Sequence, residues 1–593
     1  MDNREIAKVF RETAHLLEID GAIIGRYRSY EKAADLIEGL HDSVEQLAQD
    51  EKKLMELPGI GKGMCEHIQE VLKAGDYSLR QKLLKKYPAT ILDLLAVQSL
   101  GPKKIALLWS AFHCAGLADL EKLATAGKLK DLPGFGEKSE QNILKALAAL
   151  KTGAGRHLII AADKAAEKLS AYIKLAGSAV ESITPAGSLR RGKETIGDLD
   201  LLVSLTPGQD KQKHVDAIAD HIVKFPSIRQ LLARGENKVS FLLEDGMQVD
   251  VRLLQKKCFG AALMYFTGSK EHNVALRGRA NDAGWTLNEY ALTAIKGGRV
   301  IAQETEEEIY AKLKLPYIPP ELRENTGEIE AAELGKLPDL IQLKDIRGDL
   351  QMHTTASDGK NTIEAMAEAA RELGYEYIAL TDHSKAVTVA NGLDDKRTLA
   401  QIKKIRTAEK KSGGIRLLAS AEVDILKDGT LDLSDDTLAQ LDVVVASIHS
   451  YMNLDRAAMT ERLLAAIEHP CVDIIAHPTG RLLLRRESYD YDMEKILDAA
   501  KKHGVAMEIN AYPDRLDLKD TQARLAKSKG VKLVISTDSH STGNLRYMKY
   551  GVTTARRAWL ERKDVLNALP LPELLGALRS KRHHAHAASA QAR

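Results

Sequence analysis

Apolar positions recur at helical spacing through the first 155 residues or so, as in Ile6, Val9, Phe10, Leu16 and Leu17. The runs are short and punctuated by glycine, which predicts a region built of helices. From about 156 to 255 a long amphipathic helix leads into alternating strands, among them ITPAGSL, DLDLLVSL, KVSFLLED and MQVDVRLL. A mixed segment follows to about 315, and the proline-rich stretch LPYIPPELREN (315–325) marks a boundary. Beyond it seven apolar strands alternate with helical stretches: GDLQMH, YIALTDH, IRLLASAEVDI, LDVVVASIH, VDIIAHP, VAMEIN and KLVISTDSH. Alternation of that length predicts an α/β fold with parallel strands, most simply a barrel. The tail SKRHHAHAASAQAR (580–593) is low in complexity and is expected to be disordered.

Composition narrows the class without choosing the activity. A chain of 593 residues exceeds a single core and implies several domains. A net charge of +2 argues neither for nor against nucleic acid, so any basic surface has to be local. The four cysteines (Cys65, Cys114, Cys258 and Cys471) are scattered with no CxxC pair, which suits reduced thiols rather than a disulfide frame. The start MDNREIAKVF has no secretory pattern, and no apolar run approaches the roughly 18–20 residues of a membrane span. A cytoplasmic, nucleoid-associated protein without membrane contact is expected.

Inside the helical third a phrase repeats: LPGIGKG (57–63), LPGFGEKS (132–139) and, more loosely, SLGPKKIALLW (99–109). A helix, a tight glycine turn and a second helix leave backbone N–H groups pointing outward, a nest that receives phosphate oxygens without reading a base. Gly59, Gly61, Gly63, Gly101, Gly134 and Gly136 are the candidate DNA contacts, with Lys62, Lys103 and Lys138 adding charge. One such turn is equally a plain helix cap. Three of them resemble helix-hairpin-helix motifs, which grip DNA without sequence preference.

A second signal lies at Gly187-Ser188-Leu189-Arg190-Arg191-Gly192, followed by Gly197-Asp198-Leu199-Asp200. Asp198 and Asp200 stand at i and i+2 of a strand, so both side chains leave one face. Asp250, among apolar neighbours on a later strand, is the third carboxylate of the candidate catalytic set. Three converging acids repel unless cations sit between them, and two magnesium ions are what in-line nucleotidyl transfer needs. Gly187, Ser188 and Arg191 are suited to the outer phosphates.

These residues resemble the nucleotidyltransferase superfamily and, within it, the DNA polymerase X family, over residues 1 to about 318. The resemblance implies further nucleotide contacts: Gly197, the Tyr265-Phe266-Thr267-Gly268-Ser269 turn beside the sugar, Asn273 at the base edge and Arg277 at the template. GWTLNEYAL (284–292) matches the end of the family's thumb. Two departures stand out. His67 falls where lyase-active members carry a Schiff-base lysine, which puts deoxyribose-phosphate removal in doubt, although Lys62 or Lys73 could act instead. Gln248 stands where DNA polymerase β has an arginine beside its third aspartate, so Asp250 is expected to be less firmly oriented.

The strands of the last third end in metal-suited residues: His353 with Asp358, His383, Glu422, His449, His477, and Asp538 with His540. Nitrogen and carboxylate ligands without cysteine suit manganese or zinc and metal-assisted hydrolysis of phosphate esters. The motifs DLQMHTTASDG, TDHS, AEVD, SIHS, AHP and STDSH resemble the PHP (polymerase and histidinol phosphatase) domain, which implies a distorted (β/α)7 barrel and 3′→5′ exonuclease activity. Eight of the nine ligands that the resemblance implies are present. The ninth is Gln351, where the family opens with HxH, so the expectation is a folded metal-binding barrel with a weakened or absent nuclease. His449, His477 and His540 are expected to form one group, and Asp358, His383 and Glu422 another.

The expected domains are an N-terminal helical domain at 1–85, a fingers-like helical region at 86–155, an α+β palm at 156–255 and a thumb at 256–318. A linker at 319–340, a PHP domain at 341–575 and a disordered tail at 576–593 complete the chain. The expected activity is DNA-directed DNA synthesis across short gaps in repair. The expected ligands are magnesium or manganese at the palm, manganese or zinc at the barrel, deoxynucleoside triphosphates, and gapped or primer-ended duplex DNA, bound by a monomer. Alternatives are a protein that is mainly a 3′→5′ exonuclease or phosphodiesterase, a non-catalytic DNA-binding scaffold, or a template-independent transferase.

Overall fold

The computed structural model describes residues 3–578 except 40–43, 49, 56, 58, 98, 99, 154 and 209–211. The chain divides into two units, residues 1–154 and 155–593. Among its described residues the first unit contains helices and no strand. Phe10, Leu16, Ile68, Val71, Leu94, Leu108, Leu120 and Ile143 belong to one buried apolar cluster. The two helical domains expected at 1–85 and 86–155 therefore share a single core. Short amphipathic helices of this kind bury too little apolar face alone, and pooling it is what stabilises them.

The palm opens the second unit. Its five-stranded sheet runs in the order Val180–Pro185, Asp198–Leu205, Gln248–Gln255, Lys238–Leu243, Ile228–Arg234. The pair Asp198–Leu205 and Gln248–Gln255 is parallel, and every other neighbouring pair is antiparallel. Leu199, Leu201, Val203 and Leu205 pack with Ala162, Leu169 and Ile173 of the helix Ile159–Lys174 and with Ile218 of Gln212–Ile222. Strand parity then sends Asp198 and Asp200 to the opposite face. On that face Leu202 and Leu254 meet Ala262, Phe259 and Phe266 of the helix Phe259–Thr267.

The thumb joins this helix to Lys270–Asp282, a three-stranded antiparallel sheet (Trp285–Leu287, Leu292–Ala294, Val300–Ala302) and the helix Glu306–Lys312. The expected linker at 319–340 is folded onto it. Leu322, Ile329, Ala332 and Leu340 share a core with Leu276, Leu292 and Tyr310. Arg323 is fully buried, donating to Glu306 at 2.6 Å and to the Ile318 carbonyl at 2.8 Å. Prolines punctuate this stretch, but its apolar side chains and buried ion pair anchor it.

Seven parallel strands in sequence order form the last sheet: Gly348–Met352, Tyr377–Leu380, Arg416–Asp424, Val443–Ser447, Ile474–Ile475, Ala506–Asn510 and Leu533–Ser536. A parallel bridge between Met352 and Ser539, and the His353 N–H donated to the Ser539 carbonyl at 2.8 Å, nearly close it into a barrel. Leu350, Ala379, Leu418, Val445 and Val534 fill the interior together with Leu566, Leu574 and Leu578. Residues 571–578 are helical, although the sequence predicts a disordered tail from 576. The histidine-rich stretch 580–593 lies outside the described residues. No helix among the described residues is long and apolar enough to cross a membrane.

Candidate functional site

The palm site is set by register. Parallel pairing places Asp200 opposite Asp250 and Asp198 opposite Gln248. Burial first, then the charges of Asp198 and Asp250, push the Asp200 carboxyl up to about 7. Burial also works to raise Asp250, but the Lys238 ammonium 2.7 Å from Oδ2 outweighs it and holds that carboxyl below its ordinary range. Lys238 comes from the adjacent antiparallel strand and takes the orienting part expected of position 248. The other oxygen, Oδ1, is buried without a hydrogen-bond partner among the described residues. An orphaned carboxylate oxygen beside two further acids is a donor set that fits divalent cations.

Ten of the residues expected at the nucleotide site line one cleft of about 350 Å³ with Lys270: Gly187, Ser188, Arg191, Asp198, Asp200, Tyr265, Phe266, Gly268, Asn273 and Arg277. Gly197 and Asp250 are not among the lining residues. At position 187 φ is +58°, and a Cβ would approach Asp200 Oδ2 to 2.5 Å, so only glycine fits. The two arginines of the signature part company. Arg190 is spent on structure, donating to Glu306 at 2.9 and 2.7 Å and to Thr267 Oγ1 at 2.7 Å. Arg191 stays at the cleft. The Tyr265 and Phe266 rings meet edge to face at 5.0 Å, and Asn273 Nδ2 donates to the Tyr265 carbonyl at 2.7 Å.

In the barrel the ligand candidates converge on Glu422. Its Oε2 lies 3.2 Å from His383 Nδ1 and 3.4 Å from His353 Nε2, and its Oε1 3.0 Å from His477 Nε2 and 3.4 Å from His449 Nε2. Asp358 Oδ2 sits 3.3 Å from His540 Nε2 and 3.5 Å from His383 Nε2, while Asp538 Oδ1 sits 3.1 Å from His353 Nε2. Three sets therefore have ligand atoms close enough to share an ion: His353–Asp358–His383–His540, His383–Glu422–His449 and His353–Glu422–Asp538. His540 falls with His353, Asp358 and His383, not with His449 and His477 as expected. Near-closure between the first and last strands brings His540 beside His353, whereas His449 and His477 reach Glu422 from the middle strands.

Burial works against charge on His540 and His383, yet their carboxylate neighbours hold them up at about 9 and about 8, while burial takes His477 down to about 4. His353 Nδ1 and His477 Nδ1 are buried without hydrogen-bond partners among the described residues. Three acids wrapped in five imidazoles form a donor set that fits manganese or zinc. Both polar atoms of the Gln351 amide are buried without a hydrogen-bond partner among the described residues.

Sequence reasoning missed several supporting residues. Asp424 accepts from His449 Nδ1 at 3.1 Å, and Asn510 donates to Asp538 Oδ2 at 3.1 Å. Asp424 shares a strand face with Glu422 two residues earlier, so parity alone could have found it. Arg515 also lines the barrel cavity, and no local pattern announces it.

In the helical unit the hairpin glycines face open space. A Cβ at Gly59, Gly61, Gly63, Gly101, Gly134 or Gly136 would meet nothing within 4 Å. Gly61 and Gly101 cap the helices Lys62–Ala74 and Pro102–Phe112 with no side-chain cap, which leaves their first N–H groups outward. His67 is half-buried, 3.2 Å from the Tyr30 hydroxyl and packed against Tyr77.

Family comparisons agree with this layout. Residues 1–77 match a helix-hairpin-helix domain, 91–149 a SAM-like helix-hairpin-helix tandem, 262–324 the DNA polymerase beta thumb and 349–512 the PHP domain. Among curated proteins, the DNA polymerase/3′-5′ exonuclease PolX of Bacillus subtilis (strain 168) is 38% identical over 576 residues, covering 97% of this chain and 99% of that one. A probable phosphatase of Thermoanaerobacter sp. (strain X514) is 30% identical over 230 residues, 37% of this chain and 89% of its own. A probable phosphatase of Shewanella sp. (strain MR-4) is 29% identical over 245 residues, 40% of this chain and 92% of its own. With the helical hairpins, the palm carboxylates, the thumb and the histidine-lined barrel in one chain, and a relative alike along nearly its whole length, the protein belongs to the DNA polymerase X family.

Proposed function

We propose that the protein is a DNA-directed DNA polymerase that fills short gaps during repair, with a barrel that trims primer 3′ ends. The observation that carries the reading is the parallel register that sets Asp200 beside Asp250, with Asp198 on the same strand face and Ser188 and Arg191 lining the same cleft. Divalent cations, magnesium or manganese, held by the three aspartates supply the charge that in-line transfer from a deoxynucleoside triphosphate requires. The chain's own residues bind and orient. Arg191 and Ser188 offer donors to the outer phosphates, and the Tyr265–Phe266 turn borders the sugar. With Nδ2 tied to the Tyr265 carbonyl, Asn273 keeps Oδ1 for the base edge. The hairpin glycines hold the backbone of gapped or primer-ended duplex DNA, and the protein works as a monomer in the cytoplasm.

The clustering of imidazoles on Glu422 favours a second activity in the same chain, 3′→5′ exonuclease action with manganese or zinc. Gln351, a neutral amide where the PHP family carries an imidazole, holds an ion less firmly, and the nuclease is slower for it.

A 5′-labelled primer–template incubated with manganese tests both readings. With nucleotides present, Asp198→Ala/Asp200→Ala should abolish extension while primer shortening persists; extension by that variant rejects the palm assignment. Without nucleotides, shortening that disappears in His449→Ala assigns the nuclease to the barrel, and no shortening by the unaltered protein rejects it.

A further inference from the structure

The palm's glycine–arginine signature rests on the barrel. Leu189 packs against a buried cluster that includes Leu483, Leu516 and Tyr550. Gly192 has φ +65°, and a Cβ there would come within 2.1 Å of Thr553 Cγ2. Glu194 accepts from both terminal nitrogens of Arg481, at 3.2 and 2.7 Å. The segment therefore has barrel contacts at three successive points.

Thr553 and Arg557 lie on the helix Met548–Arg557. Arg557 is almost fully buried and engaged in two directions. Its Nε and Nη2 hold Asp520 at 2.9 and 2.7 Å, while Nη1 donates to the Arg191 carbonyl at 2.7 Å and to Glu324 Oε1 at 3.0 Å. That same oxygen of Glu324 accepts Arg191 Nε at 3.1 Å. Arg191 Nη1 donates to the Thr267 carbonyl, and Nη2 has no partner among the described residues. The Arg191 guanidinium is thus pinned at two nitrogens, and the residue lines the cleft together with Asp198 and Asp200.

An arginine is among the side chains that lose most rotamer freedom on being ordered, and ordering it before the ligand arrives lowers the cost of binding. Glu324 cannot supply that order alone, since besides Arg191 and Arg557 it faces only the part-exposed Lys193 ammonium, 3.9 Å away, among the described residues. Arg557, tied to Asp520, is the fixed point. We propose that Arg557 is a positioning residue for nucleotidyl transfer: through Glu324 and the Arg191 main chain it aims the free nitrogen of Arg191 at the triphosphate of the incoming nucleotide. The barrel thereby serves synthesis by a contact independent of its own metal chemistry. The inference rests on the palm being the nucleotide site.

The test uses the full chain under single-turnover conditions on a gapped duplex, reading incorporation rate against nucleotide concentration. Arg557→Met should raise the apparent Kd for the nucleotide about fivefold to tenfold. The maximal rate should stay within about twofold, manganese-dependent primer shortening should be unchanged, and Arg557→Lys should restore part of the affinity. A folded Arg557→Met protein with unaltered nucleotide affinity overturns the proposal. Should that variant lose its cooperative melt, Glu324→Gln removes the shared acceptor instead, with the same rise expected and the same meaning if it is absent. Arg191→Ala is measured alongside. Unchanged affinity there rejects the nucleotide site itself, whereas a loss there without a loss in Arg557→Met rejects only the positioning role.

Discussion

The palm and the barrel each gather three carboxylates, but they neutralise them differently. In the palm, among the described residues, Lys238 alone forms an ion pair with the set, and it pairs with one member. In the barrel five imidazoles stand between Asp358, Glu422 and Asp538, and Arg515 lies 3.5 Å from Asp538. Oxygen ligands with little protein cation suit hard ions that arrive with a triphosphate. Mixed nitrogen and oxygen ligands suit ions that stay resident. Glu306 shows a third solution, a buried carboxylate neutralised permanently by Arg190 and Arg323. Similar acids thus acquire different chemistry from what stands next to them.

The sharpest way to separate the two metal-suited sites is Glu422→Gln, because Glu422 serves two of the three barrel sets. Primer shortening should fall on the order of 10³-fold with extension untouched, read on one labelled primer with and without nucleotides. Loss of both activities would mean that the sites are not independent.

The permanent ion pair makes the next largest prediction. Burial alone would raise Glu306, but Arg190 and Arg323 outweigh it and hold the carboxyl at about 2, against an ordinary 4.5. A depressed carboxyl stabilises the fold above its unfolded value and loses that contribution as pH falls, here between about 4.5 and 2. Glu306→Gln should therefore cost about 3 kcal/mol at neutral pH, since Arg323 is left buried without its partner. Urea unfolding at pH 7 and pH 3 should show the gap between variant and parent narrowing in acid.

A smaller effect is expected at the defective barrel position. Gln351→His should tighten manganese by about 10- to 100-fold, measured by chelator competition, and speed primer shortening with it. Unchanged affinity would mean that the buried amide is already an adequate neighbour. Smallest of all, Lys103→Ala should weaken DNA binding almost equally for all sequences and lower the salt slope by about 1, as expected of a phosphate contact. A sequence-dependent loss would show that the hairpin reads bases.

Much of both sites was legible because their chemistry is local. Spacing of two places Asp198 and Asp200 on one face, and each barrel histidine follows its own apolar strand. Legibility failed wherever a neighbour is distant in the chain. The linker expectation for 319–340 rested on prolines and missed that Leu322, Ile329 and Arg323 find partners in the thumb. Lys238 begins a strand whose pairing with Gln248–Gln255 no periodicity announces. Gln248 suggested a loosely oriented Asp250, and Lys238 supplies what that position lacks.

The sequence by itself determined the kinds of element, the order of the domains, and the candidate acids of the palm and candidate ligands of the barrel, because helix and strand periods and turn residues act over a few positions. Tertiary structure alone decided which histidines come close enough to share an ion, that Lys238 pairs with Asp250, and that Arg557 reaches Arg191 across 366 residues of chain. Those pairings depend on sheet register, barrel closure and the packing of one domain on another. Such contacts are selected by the total free energy of the fold, and no stretch of neighbouring residues encodes them.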